Sequence, residues 1–291
     1  MKYLLYSIVI LTFVTACTKT KPLIINLPET EQKLAISSVV IPGNILAVSV
    51  SYSFSALKNA KDSMGNNVFD STLYQQFLVS HALVTISYNG KTDTLSKLAP
   101  GIYASAGVLQ LVNANYTLNV YDSATQLRVF ANSTMLQKVN FDSLYFEKER
   151  TATDTTLKVH FSVADNLSEE NYYMVSYYNT VASPIYNSVF SNPNKNKFVL
   201  VELYSDKVVE VNGKIKVDKN FFILDENDTL IIELANISKG YYEFLSAYKK
   251  SDQLIYQLLG EPVNLPTNIN IGYGYFSTFN PSFKIVDLSK L

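Results

Sequence analysis

Apolar and polar positions alternate along most of this chain at the two-residue period of a strand with one buried face. Leu34, Ile36 and the run Val39, Val40, Ile41 lead into a turn signal at Pro42-Gly43-Asn44. Ile45, Ala47 or Val48, Val50, Tyr52 and Phe54 then read as a second strand. The clearest hairpin follows a polar stretch over residues 58–77, which centres on Gly65-Asn66-Asn67. Ala82 to Tyr88 alternates, Asn89-Gly90 turns, and Lys91 to Leu95 returns. Asn-Gly supplies the two positive-φ positions of a type I′ turn. After Pro100-Gly101, Tyr116 to Tyr121 alternates again. Short strands at this spacing predict an immunoglobulin-like β-sandwich over residues 33–138.

The second half repeats the β signal. Leu157, Val159, Phe161 and Val163 alternate with Lys158, His160 and Ser162. Tyr172 to Tyr178 is an apolar strand, residues 183–197 read as a polar loop, and Val208 to Val217 resembles a hairpin around Asn212-Gly213. Leu230 to Leu234 is a further strand. Only one segment has helical spacing. Tyr241, Phe244, Leu245 and Tyr248 fall at i, i+3, i+4 and i+7, with Ile255 and Leu259 extending the stripe. Ser238 is the expected N-cap, Gly260 the stop, and Pro262 bars continuation. The prediction is a mainly β protein with a second β-rich domain over residues 139–291 and one amphipathic helix at about 239–259. The helix stripe is expected to pack in a core.

Composition agrees with that class. There are 21 Tyr and 16 Phe but no Trp, a bias that suits half-buried pleated surfaces. Hydrophobic residues reach 47% against 17% charged, the reverse of a disordered chain. A net charge of −1 argues against nucleic acid as a partner, because phosphate binding needs a basic face.

The N-terminus carries an address. Residues 1–16 have Lys2 as a positive start, an apolar run from Leu4 to Val14, and small residues after it. The run is shorter than the roughly 20 apolar residues of a membrane span. Val14-Thr15-Ala16-Cys17 resembles the bacterial lipobox, in which the Cys is diacylated and the leader is cut before it. Cys17 is the single cysteine of the chain, so no disulfide forms within it. Residues 17–32 then read as a lipidated Cys and tether, with Lys19 and Lys21 and without an Asp beside the Cys. That pattern favours the outer membrane, leaving the periplasmic and the surface face open.

The C-terminal region reads Glu261-Pro262-Val263-Asn264, then Asn268-Ile269 and Gly272-Tyr273-Gly274-Tyr275-Phe276. This run follows an aromatic helix. With the lipidated Cys, Leu27-Pro28-Glu29, Lys33-Leu34, Pro42-Gly43 and Pro100-Gly101-Ile102-Tyr103, it resembles the outer-membrane lipoprotein family catalogued as domain of unknown function 4249. Tyr273 departs from the aliphatic residue often found between the two glycines. The resemblance implies an outer-membrane lipoprotein of a kind often encoded beside a TonB-dependent receptor, with no established activity. Gly272 and Gly274 are expected to be structural, at close backbone approaches.

No catalytic constellation stands out. His81 and His160 lack any metal-binding spacing, and no Gly-x-Ser-x-Gly elbow, P-loop or dinucleotide fingerprint occurs. Asp225-Glu226-Asn227-Asp228 reads as a solvated turn rather than a calcium loop, and Glu169-Glu170 as a loop or helix start. No cofactor or metal is expected. Asp followed by Ser or Thr and then an aliphatic residue, Met, Ala or Thr recurs at seven of thirteen aspartates, more than composition alone gives. It resembles a bacterial O-glycosylation motif whose acceptors would be Ser63, Ser71, Thr94, Ser123, Ser143, Thr155 and Thr229. The same dipeptides also favour turns at strand ends, and both readings stay open. The expected function is non-enzymatic: an accessory or cargo-capture partner of a TonB-dependent transporter, with a surface glycan- or peptide-binding adhesin as the alternative.

Overall fold

The computed structural model describes residues 31–41, 45–53, 75–150, 155–166, 168–179, 199–206, 210–211, 214–222, 229–251 and 264–291. The protein is mainly β, built of largely antiparallel sheets with a helix near the C-terminus. Residues Gln32–Leu291 form one compact unit.

The first sheet has the order β16 (Tyr273–Tyr275), β1 (Leu34–Ile41), β2 (Ile45–Tyr52), β6 (Ile102–Ser105) and β5 (Ser96–Ala99). The second has the order β4 (Lys91–Thr94), β3 (Ala82–Tyr88), β7 (Asn115–Asp122) and β8 (Arg128–Thr134). Their alternating residues share one core. Leu34, Ile36, Val48 and Val50 enter it from the first sheet, and Val84, Ile86, Tyr116, Leu118 and Val120 from the second. The β3–β4 hairpin turns as expected, with Asn89 at φ +45° and Gly90 at φ +75°.

The third sheet has the order β13 (Glu210–Val211), β14 (Lys214–Phe222), β10 (Thr155–Ala164) and β9 (Phe141–Arg150). The fourth has the order β12 (Val199–Ser205), β11 (Tyr172–Asn179), β15 (Thr229–Asn236) and β17 (Ser282–Asp287). Leu157, Val159, Phe161 and Val163 of β10 pack with Tyr173, Val175, Tyr177, Ile232 and Leu234 of the fourth sheet in a second core.

The helix α1 spans Lys239–Ser251, and the rest of the expected helix to Leu259 lies outside the described residues. Ser238 caps it as predicted: its Oγ accepts the amide of Tyr241 at 3.3 Å and its carbonyl that of Tyr242 at 3.0 Å. The aromatic stripe is only partly a core stripe. Tyr241 is buried against Tyr275 and Phe279, while Tyr248 is exposed. The reason lies in the partners. Tyr241 belongs with the first core, which also takes in Tyr172 and Met174 of β11 and Ala235 of β15. The start of α1 is therefore a joint between the two sandwiches.

Candidate functional site

The residues that carry the family-like motif build a clamp. Asn268 hydrogen-bonds three backbone groups. Its Nδ2 donates to the carbonyls of Asn132 at 3.0 Å and Phe276 at 2.7 Å, and its Oδ1 accepts the Phe276 amide at 2.9 Å. Ile269 and Phe276 are buried on either side of the turn. The Asn270 amide donates to the Phe130 carbonyl at 2.9 Å. Further on, the Ser277 amide donates to Ser38 Oγ, and the Thr278 amide to Ser133 Oγ, each at 2.8 Å. One C-terminal segment thus bonds to β8, an edge strand of the second sheet, and to β1 of the first. Between these contacts β16 runs parallel to β1, pairing Ala35 with Tyr273 and Ser37 with Tyr275. Both glycines sit where backbone meets backbone. A Cβ on Gly272 would lie 2.8 Å from the Leu34 carbonyl oxygen, and one on Gly274 only 1.9 Å from that of Ile36.

The same segment carries an outlier. Ile271 adopts φ +59° and is 71% exposed. A β-branched residue in the left-handed region costs about 1–2 kcal/mol, so this side chain is both strained and unburied. Phe130 and Tyr273, near it on β8 and β16, are each nearly half exposed. The ammonium of Lys33 lies 5.5 Å from the centre of the Tyr273 ring, and the guanidinium of Arg128 lies 5.2 Å from that of Tyr121. Each of the first two sheets thus carries an aromatic ring with a cation over it.

A second unusual group is buried. Glu233 on β15 is 3% exposed, and its Oε1 has no hydrogen-bond partner among the described residues. Its strand neighbours are Ser176 and Phe283. Burial pushes its carboxyl up to about 8. Tyr178 and Tyr241, whose hydroxyls are raised first by burial, also feel its charge. Glu233 faces away from the second core, where Ile232 and Leu234 point. Sequence reasoning missed it, taking it as one residue in an apolar strand. The available signal was a carboxylate inside an otherwise continuous apolar run, the pattern of a strand covered on both faces.

The predicted site residues lie apart. Cys17, Ser63, Ser71 and the Asp225–Asp228 cluster lie outside the described residues. Thr94 is exposed at the end of β4, and Ser143 is exposed on β9 with its Oγ 2.7 Å from that of Ser162. Thr155 and Thr229 are half-buried at the starts of β10 and β15. Ser123 is exposed, in a turn organised by the buried Asp122. The Asp122 carboxylate accepts from Thr125 Oγ1 at 2.6 Å, Tyr52 Oη at 2.5 Å, and the amides of Ala124 and Thr125 at 3.2 Å. Burial works against its charge, yet these donors hold its carboxyl below the ordinary range. At this position the Asp-Ser dipeptide builds a turn.

His81 is exposed, and its carbonyl accepts from Ser123 Oγ at 3.3 Å. His160 stands on the outer face of β10, stacked on the exposed ring of Tyr145 at 4.5 Å. Its Nδ1 lies 2.6 Å from Asp218 Oδ1, and its Nε2 lies 3.5 Å from Glu147 Oε2, too far for a well-formed hydrogen bond. Glu170 is exposed and meets Lys239 at 3.5 Å. Among the described residues, no group of three or more His, Cys, Asp or Glu side chains is placed to hold a metal ion. No helix among them is long and apolar enough to cross a membrane.

Comparison with known proteins identifies a family. The sequence model described as "Domain of unknown function (DUF4249)" matches residues 20–285. No curated protein matches the chain. Among solved structures, the chicken interferon gamma receptor alpha chain is 7% identical, with 71% of this chain and 89% of that chain covered at a TM-score of 0.21. A similarity that low carries no argument about fold or function.

Proposed function

The chain belongs to the DUF4249 family, and from that premise we propose that it is a non-enzymatic, lipid-anchored outer-membrane protein serving a TonB-dependent transporter as an accessory or cargo-capture partner. The observation that carries the reading is the single cysteine at position 17, directly after an apolar leader and before a polar tether. Acyl chains at about 0.8 kcal/mol per buried CH₂ make a stable anchor when two or more are attached. A body of interlocked sheets held at a bilayer through such a tether suits binding to a barrel protein in the same membrane. Effective concentration then raises modest affinities without new contacts. Isolation of the native protein in mild detergent is expected to recover a TonB-dependent receptor with it. Repeated isolation without one, under conditions that keep the lipid on Cys17, would count against the assignment.

A second reading, a glycan-binding surface module, has one observation in its favour. Tyr145 presents an exposed ring braced by His160, with Asp218 and Glu147 close to the imidazole. Aromatic faces beside hydrogen-bonding groups are the chemistry that holds sugars. On this reading a glycan array gives a signal that Tyr145→Ala abolishes; an array without binders removes it.

A further inference from the structure

We infer that the sandwich edge formed by Phe130, Ile271 and Tyr273 rests on the surface of the bilayer to which the chain is tethered. The inference goes beyond the proposed function but rests on its premise that Cys17 carries lipid.

Four observations converge on this edge. Ile271 is an exposed aliphatic side chain at the third position of a turn closed by the Gly272 amide on the Ile269 carbonyl at 3.4 Å; the turn demands the positive φ, but neither it nor the core calls for an isoleucine there. Such an outlier is a reason to look for function. Phe130, on the edge strand β8 whose carbonyl takes the Asn270 amide, and Tyr273, two residues after Ile271 on the edge strand β16, are exposed as well. The backbone fixes the arrangement rigidly, because Asn270 bonds to the Phe130 carbonyl and Tyr273 pairs with Ala35.

The third observation is charge. Lys33 lies over the Tyr273 ring, and the exposed Arg128 shares the outer face of β8 with Phe130. Long cationic side chains beside aromatic rings fit the headgroup level of a membrane. There the rings sit at the apolar boundary while the cations reach anionic phosphates. The fourth is chain continuity. The tether enters the body through Lys33, the residue whose ammonium covers Tyr273. Residues 17–32, fully extended, span at most about 55 Å. Anchoring keeps this edge within that distance of the bilayer, so a weak apolar contact becomes effectively intramolecular.

The chain has no tryptophan, so a single introduced one reports its own surroundings. The full lipidated protein would be reconstituted into phosphatidylethanolamine–phosphatidylglycerol vesicles with Ile271→Trp, Tyr273→Trp or, as a control, Leu98→Trp. Leu98 is exposed on β5, the opposite edge of the same sheet. Tyr273→Trp covers the case in which Trp at 271 disturbs the turn. The expected result is co-flotation with vesicles, a blue-shifted emission at 271 and 273, and loss of that emission with brominated lipid, while the Leu98 reporter keeps its intensity. Co-flotation with unquenched reporters at 271 and 273, or equal quenching at Leu98, overturns the docking and leaves the anchor standing. Shielding that arises only when the receptor is added assigns the edge to a protein and overturns it too. Failure to float overturns the lipid anchor, and the inference with it.

Discussion

Gly274→Ala is expected to be the most damaging single-methyl substitution in the described structure, costing about 4 kcal/mol or more. Two penalties coincide there. Gly274 has φ +88°, beyond the small left-handed region open to side chains, and an added Cβ would lie 1.9 Å from the Ile36 carbonyl oxygen. That oxygen belongs to β1, which is held between β2 and β16, so it cannot step aside. The outcome is loss of β16 from the sheet and, with it, of the clamp made by Asn268 and Ser277. Gly90 provides the internal comparison. Its φ is +75°, but a methyl group added there would meet nothing within 4 Å, so Gly90→Ala should cost only about 1–2 kcal/mol. Urea unfolding of the two variants separates steric exclusion from backbone strain alone. Equal midpoints would show that β1 and β16 accommodate the methyl and that the close approach does not hold the fold.

Glu233→Gln is expected to stabilise the protein at pH 8 and to leave it nearly unchanged at pH 4. Burial raises the Glu233 carboxyl from its ordinary 4.5 to about 8. Below 4.5 the group is protonated in both folded and unfolded chains, and the folded state carries no penalty. Between 4.5 and 8 the unfolded chain releases the proton while the folded one keeps it, so stability falls as pH rises. Above 8 both states are ionised and the full penalty, on the order of 5 kcal/mol, persists. Glutamine is neutral throughout and has almost the same shape, so the variant lacks this decline. Other titrating groups affect both proteins alike, and the difference between them isolates Glu233. Thermal midpoints measured from pH 4 to 9 should diverge as pH rises. Parallel curves would mean that the carboxylate finds solvent or a partner on the outer face of its sheet.

How much of this was legible beforehand depends on the range over which each feature is decided. The β3–β4 hairpin is decided within a few residues by Asn89-Gly90 and flanking alternation. Ser238 and the spacing of Tyr241 and Phe244 likewise set the start of α1 locally. The inward residues of β10 follow from period two alone. The sequence also named the motif around Gly272 and Gly274 and its structural character, because glycine at a close approach needs no knowledge of the neighbour. What it did not contain was the neighbour. The parallel pairing of β16 with β1 joins opposite ends of the described chain, and no local pattern encodes a partner so distant. The exposed ring of Tyr248 shows the same limit: spacing predicts a stripe but not how far along the helix a covering surface extends.

By itself, then, the sequence determined the β class, the local turns and caps, family membership through short motifs, and the lone cysteine behind an apolar N-terminal run. These depend on steric and hydrophobic preferences acting between near neighbours. The tertiary structure alone decided which edges are clamped together, that Glu233 sits desolvated behind its sheet, and that Ile271, Phe130 and Tyr273 stand exposed. Burial and juxtaposition are properties of the packed chain, set when distant segments exclude water from one another or fail to.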